Sequence, residues 1–256
     1  MGRVAQVVPE RRPFAGAFWA ALTAGKRADE LGLREAPPKS VANKRFTTAA
    51  KWLIALIAAH DEHEHDLAHL PDGLFVLERR ISASRLQRAT AAGWVIQSDA
   101  SPWGAGAILR HDSKISEYFS VKWKKEDFPA RLGIEIGQPA FQAFFEFLAI
   151  LLGLLQWGRN FTREPCLVTT DSTGALQNAL DQCGHRLQLV ISRELAWRKA
   201  RYGWLFDVGH LPRAFNVVPD TLSRAHAPDA PAWPFDELDM ATDVGPPLWA
   251  DMWKCV

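Results

Sequence analysis

Apolar and polar positions change their rhythm near residue 90. Before it they recur with helical spacing. Arg12-Pro13 precedes FAGAFWAALTAG, a short helix closed by Gly25, and TTAAKWLIALIAAH forms a second with Thr47 or Thr48 as its N-cap. Leu31 to Ser40 carries Pro37-Pro38 and reads as a linker, and HDEHEHDLAHLPDG ends in turn residues at Pro71-Asp72-Gly73. From Gly93 the pattern is that of strands: GWVIQSD, WGAGAILR and KISEYFSVKW, an antiparallel meander with turn residues between. An apolar helix from about Gln138 to Trp157 follows, then a buried strand, CLVTT. STGALQNALDQ is a helix capped by Ser172 or Thr173, and HRLQLVISRELAWRKARYG a longer one. YGWLFDVGH is a further strand, and VVPDTLSRA opens a last short helix. This order, βββαβααβα, predicts an α/β fold, a mixed five-stranded sheet flanked by helices. The chain divides into a small, mostly helical segment over 1–90, the α/β domain over 91–225, and a tail over 226–256 rich in Pro, Asp and Trp.

Composition adds limits. The 256 residues are enough for a proper core, and 48% apolar with 23% charged residues is ordinary for a globular protein. The net charge of +1 does not announce a nucleic-acid binder, yet basic residues outnumber acidic ones from Met1 to Ile57 while the tail after Ala225 is acidic. Cys166, Cys183 and Cys255 show no CxxC spacing, which argues against a disulfide framework and for a reducing compartment. MGRVAQVVPERRPF has no apolar core of a secretory signal. The stretch from Phe141 to Trp157 carries Glu146 and two Gln, and is expected to be too short and too polar to span a bilayer. An intracellular location, cytoplasmic or nuclear, is expected, with no membrane partner.

Four acids carry the candidate chemistry. Asp99 closes the first strand and Asp171 the fourth, at the carboxyl ends where α/β sheets build sites. Glu146 sits inside FFEFLAILL, where an ionised carboxylate is costly unless something positive meets it. Asp220 follows Pro219 at the start of the last helix. Converging on one sheet edge, they would repel one another and need cations; hard oxygen ligands suit Mg²⁺ or Mn²⁺. Two such ions form the clamp used for in-line phosphodiester displacement. Taken singly, Asp99 and Asp171 also read as strand-end turn residues, Asp220 as a helix N-terminal acid favoured by the dipole, and Glu146 as an acid turned to solvent.

The segments around these acids resemble the RNase H domain of reverse transcriptases from long-terminal-repeat and DIRS-like retroelements. HLPRAFNVVPDTLSR at 210–224 is similar to the family's closing pattern, roughly H-x-P-G-x-x-N-x-x-A-D-x-L-S-R, whose Asp is the last metal ligand. SDASPWGAGAIL at 98–109 resembles the opening strand pair, TTDSTGAL the block after the fourth strand, and FFEFLAIL supplies the helical Glu. The blocks occur in the family's order and cover about 93–224. GRVAQVVPERRPFAGAFWAAL resembles, more weakly, the thumb or connection region after the polymerase palm. No Y-x-D-D motif occurs, so DNA synthesis is not expected. The resemblance implies an RNase H fold, two Mg²⁺ (or Mn²⁺) ions, and cutting of the RNA strand of RNA·DNA hybrids. It also implies the polymerase part of the same polyprotein as a partner. Asp99 would bridge both ions, Glu146 and Asp171 would hold one, and Asp220 the other. The alternative is a catalytically inactive remnant that binds nucleic acid or serves structurally.

Weaker signals surround this set. His210 precedes Asp220 at the interval at which retroviral enzymes carry a mobile catalytic histidine, although here it stands at the strand end rather than in the loop. Gly104 and Gly106 would let their backbone approach the RNA strand, Ser172 lies beside Asp171, and Arg213, where the family has Gly, is placed to touch a phosphate. Trp103 and Trp123 are candidates for stacking on a sugar or base, although with eleven tryptophans most must be core. His60, His63, His65 and His69 form a patch that reads equally as a solvated surface. Arg11, Arg12, Lys44, Arg45, Lys51, Arg79, Arg80, Arg85 and Arg88 read either as a hybrid-binding face or as solvated helix faces.

Overall fold

The computed structural model describes residues 93–253, apart from 163, 182–186 and 231–235, together with Thr47, Ala50 and Lys51. The histidine patch lies outside the described residues, as do the helices expected before residue 90 apart from Thr47, Ala50 and Lys51, which are helical.

β1 (Trp94–Ser101), β2 (Gly104–His111) and β3 (Lys114–Lys122) form the expected meander. α1 (Gln142–Trp157), β4 (Cys166–Thr170), α2 (Thr173–Asp181), α3 (Leu187–Tyr202), β5 (Phe206–His210) and α4 (Val217–Arg224) then follow in the expected order. β1 to β3 pair antiparallel, whereas β4 joins β1 and β5 joins β4 in parallel. The β2–β3 turn is made by Asp112 and Ser113, both at positive φ, as a two-residue turn matched to strand twist requires. β1 and β2 lie centrally and are buried on both faces over most of their length, so their sequences lack clean alternation.

The sheet has six strands, not five, in the order β5-β4-β1-β2-β3-β6. The extra strand, β6 (Thr242–Asp243), pairs in parallel with β3. Two residues carry no periodicity, and they fall in the Pro/Asp/Trp-rich segment that reads as a tail. Part of that segment packs on the domain: Trp249, Met252 and Trp253 are buried in the main core, with Trp253 and Trp249 against Phe128.

The helices make three layers. α1 covers one face of the sheet on β1 and β2, with α2 and α3 packed against it, and α4 covers the other face across β1 and β2. The larger core lies under α1, and a smaller one joins Val218 and Leu222 of α4 to Ile108 and Ile115. The helical run Pro139–Asn160, 22 residues of mean hydropathy 1.6, meets the length and composition of a bilayer span, contrary to the expectation from the sequence; 61% of its most apolar window is buried inside this domain. Trp123 is core rather than a stacking platform. Its ring lies 5.3 Å from that of Phe145, and its Nε1 donates to the carbonyl of Ser101.

Candidate active site

The strand register sets the site. β1 and β4 run parallel with Gln97 beside Thr169, and continuing that register by two places brings Asp99 beside Asp171. Asp99 shares the α4-facing side of β1 with Ser101, because side chains alternate along a strand. Ser101 Oγ donates to the carbonyl of Ser223 at 2.7 Å, and Ser223 Oγ reaches Asp99 Oδ2 at 3.0 Å and the carbonyl of Asp220 at 2.8 Å. Asn216, fully buried just before α4, donates from Nδ2 to Asp99 Oδ1 at 3.3 Å, and its Oδ1 has no partner among the described residues. α4 is thereby tied to the carboxyl end of β1, and its first turn carries Asp220.

Asp99 is 7% exposed. Burial first, then the charges of Asp171 and Asp220, push its carboxyl up to about 8, opposed by the hydrogen bond from Ser223. Asp99 therefore senses two further carboxyls at one sheet edge, and a nearby positive charge would favour its ionised form. Asp220 has one already: Arg224, a turn later on α4, sets Nε 3.0 Å and Nη2 2.9 Å from Asp220 Oδ1.

Glu146 approaches from α1 and is half-buried. Gln142, one turn earlier, donates from Nε2 to Glu146 Oε1 at 3.1 Å and to the carbonyl of Ala100 at 2.6 Å. Ser172 Oγ donates to Glu146 Oε2 at 2.5 Å and accepts from the backbone N–H of Ala175 at 3.2 Å. Ser172, not Thr173, is thus the cap of α2, and one hydroxyl fixes that helix and the carboxylate together. As they stand, no three acidic or histidine groups among the described residues converge on a single ion-sized point.

The remaining candidates separate. His210 is exposed at the carboxyl end of β5, in register with Thr170, one residue before Asp171. Arg213 is exposed in the loop before α4. Trp103 is half-buried in the two-residue β1–β2 turn and lines a cavity of about 310 Å³ with Ser101, Gln142 and Arg224. Gly104 and Gly106 have a packing task that the sequence reading did not name. A Cβ on Gly106 would stand 2.2 Å from Leu222 Cβ and 2.7 Å from the carbonyl of Pro219; one on Gly104 would stand 2.4 Å from the carbonyl of Val121. Their missing side chains admit α4 and β3.

The sequence reading gave no role to Gln142, Asn216, Ser223 or Arg224. The last three lie inside the closing motif, and Gln142 stands one helical turn from Glu146, so helical spacing and the motif's own polar residues were the available signals. Hard oxygen donors grouped around a carboxyl that burial keeps protonated suit a divalent cation. No known protein-family model matches the chain, and no curated protein does.

Proposed function

We propose that this chain is a metal-dependent endonuclease of the RNase H type that cuts the RNA strand of RNA·DNA hybrids. Its proposed partner is the polymerase part of the same retroelement polyprotein. The observation that carries this reading is the grouping of Asp99, Asp171 and Asp220 at the carboxyl edge of a mixed sheet, near enough that burial and then the charges of the other two push the Asp99 carboxyl up to about 8. Such a group is a poor neutral-pH anion by itself and a good one beside a cation. The three-strand meander, the helices on both faces and the order of the motif blocks agree with the RNase H fold that the sequence resembles.

Asp99, Asp171, Asp220 and Glu146 are the groups that would hold two divalent ions. Bound there, such ions supply an activated water and neutralise charge at the leaving 3′-oxygen. The protein's own part is orientation. Asn216 and Ser223 fix the two oxygens of Asp99, and Gln142 and Ser172 fix those of Glu146. Hybrid recognition rests on phosphates, 2′-hydroxyls and shape. His210 is exposed at the carboxyl end of β5, in register with Thr170.

The test is cleavage of an end-labelled RNA·DNA hybrid with Mg²⁺ or Mn²⁺, comparing the chain with Asp171→Asn. Cutting confined to the RNA strand, abolished by the substitution and by EDTA, is the expected result. A folded protein that cuts with neither metal would overturn the reading and leave the catalytically inactive remnant.

A further inference from the structure

Arg224 is the positively charged side chain that both pairs with an acid of the cluster and lines the cavity beside it. It reaches Asp220 Oδ1 with two nitrogens, at 3.0 Å from Nε and 2.9 Å from Nη2. The same side chain, 45% exposed, lines the cavity of about 310 Å³ with Trp103, Ser101, Gln142 and Asp229. Ser101 and Gln142 are engaged within the protein, by the carbonyls of Ser223 and Ala100 respectively. A cationic fork and the half-buried Trp103 ring therefore border a space on the same edge as the acids.

We propose that Arg224 is a displaceable counter-ion. It neutralises Asp220 while the acids hold no metal, and it passes to a backbone phosphate of the nucleic-acid strand in the Trp103 cavity once Asp220 turns to a divalent cation. This inference rests on the nuclease reading above and deepens it. An exposed ion pair is weak, so the exchange needs little driving energy. A guanidinium, unlike an ammonium, presents a planar fork that matches carboxylate and phosphate alike, so the residue can serve either partner from one backbone position. The arrangement couples the two ligands. A cation taken up by Asp220 Oδ1 displaces Arg224 from that oxygen, and the displaced group then adds one phosphate contact that the metal-free protein lacks. Asp229, the other ionisable group lining the cavity, is the competing destination for the released guanidinium.

The full chain, Arg224→Gln and Arg224→Lys separate these possibilities without reference to turnover. Mn²⁺ affinity is measured by calorimetry without nucleic acid. Hybrid affinity is measured by fluorescence anisotropy against KCl concentration, once in EDTA and once in Ca²⁺, which takes the same oxygen ligands in a looser shell. Arg224→Gln is expected to bind Mn²⁺ about two- to fivefold more tightly, the range carried by an exposed ion pair. Its log–log salt slope in Ca²⁺ is expected to fall by about one relative to wild type, with equal slopes in EDTA. Arg224→Lys, with the charge but without the fork, is expected to fall between for Mn²⁺ and to keep the slope. Wild type that binds Mn²⁺ and hybrid while Arg224→Gln matches it in either affinity or slope overturns the role of Arg224 alone; an unchanged slope means the guanidinium stays with Asp220 or goes to Asp229. Wild type that binds neither ligand overturns the nuclease reading, and this inference with it.

Discussion

Replacing Asp99 by asparagine removes the charge at the centre of the cluster while preserving its shape. The amide oxygen can accept from Asn216 Nδ2 as Oδ1 does now, and the new NH₂ can donate to Ser223 Oγ, whose own proton then goes to the carbonyl of Asp220. What changes is the cost of ionisation. A carboxyl raised from 3.8 to about 8 costs on the order of 5 kcal/mol to ionise in place, at about 1.4 kcal/mol per tenfold in proton affinity. Because the folded-state value lies above the unfolded one, the unfolded chain loses its proton first. Stability is therefore full below pH 3.8, is lost as pH rises toward 8, and is level beyond it. In EDTA, urea denaturation of the wild type and Asp99→Asn is expected to give equal stabilities near pH 4. At pH 8.5 the variant is expected to be ahead by about 2–5 kcal/mol. Added Mg²⁺ is expected to close the gap from the wild-type side, since only the intact cluster gains by binding. A gap that stays constant between pH 4 and 8.5, or no gap at either, would refute the argument that burial and like charge hold Asp99 protonated.

Further consequences follow from the supports of the site. Ser223→Ala removes the donor that lowers the Asp99 carboxyl, so a loss of about 1–3 kcal/mol in denaturation is expected, with the acidic limb of the pH–rate profile displaced upward. Gly106→Ala drives a Cβ into Leu222 and the carbonyl of Pro219, and is expected to cost about 1–3 kcal/mol and to lower hybrid cleavage, because α4 carries Asp220. Trp253→Ala opens a hole beside Phe128 and Phe144 and is expected to cost about 3–5 kcal/mol by thermal or urea denaturation. A change below 0.5 kcal/mol there would show that the segment after residue 241 does not contribute to the core.

The elements that were legible in the sequence are those whose burial is written locally. GWVIQSD and CLVTT read as strands because central strands are apolar on both sides, and α1 reads as a helix because nearly every position of FFEFLAILLG is covered. β6 was illegible for the opposite reason. Two residues, Thr242 and Asp243, are held in the sheet by Glu117 and Tyr118 of β3, and nothing within the pair announces that partner. The same holds for Trp249 and Trp253, which sit among prolines with no period yet fill the core beside Phe128.

Within the site, the line between legible and illegible falls between identity and purpose. Each acid was recognisable from its position after a strand or within a helix, because a carboxylate there needs a physical reason. The glycines were equally visible, but whether Gly104 and Gly106 clear space for a nucleic acid or for a helix is decided by α4, more than a hundred residues further on. Ser223 shows the same limit: it is a small polar residue in a short helix until the fold brings it onto Asp99, 124 positions away. Local pattern thus names the groups that would do chemistry, because their cost is local. It leaves out the groups that hold them, because a hydrogen bond across the fold leaves no trace in the composition around either partner. Gln142 supports Glu146 from one turn away on the same helix, a spacing the sequence carries, whereas the bonds of Asn216, Ser172 and Ser223 to acids on other elements became assignable only when β1, α1, α2 and α4 were brought to one edge.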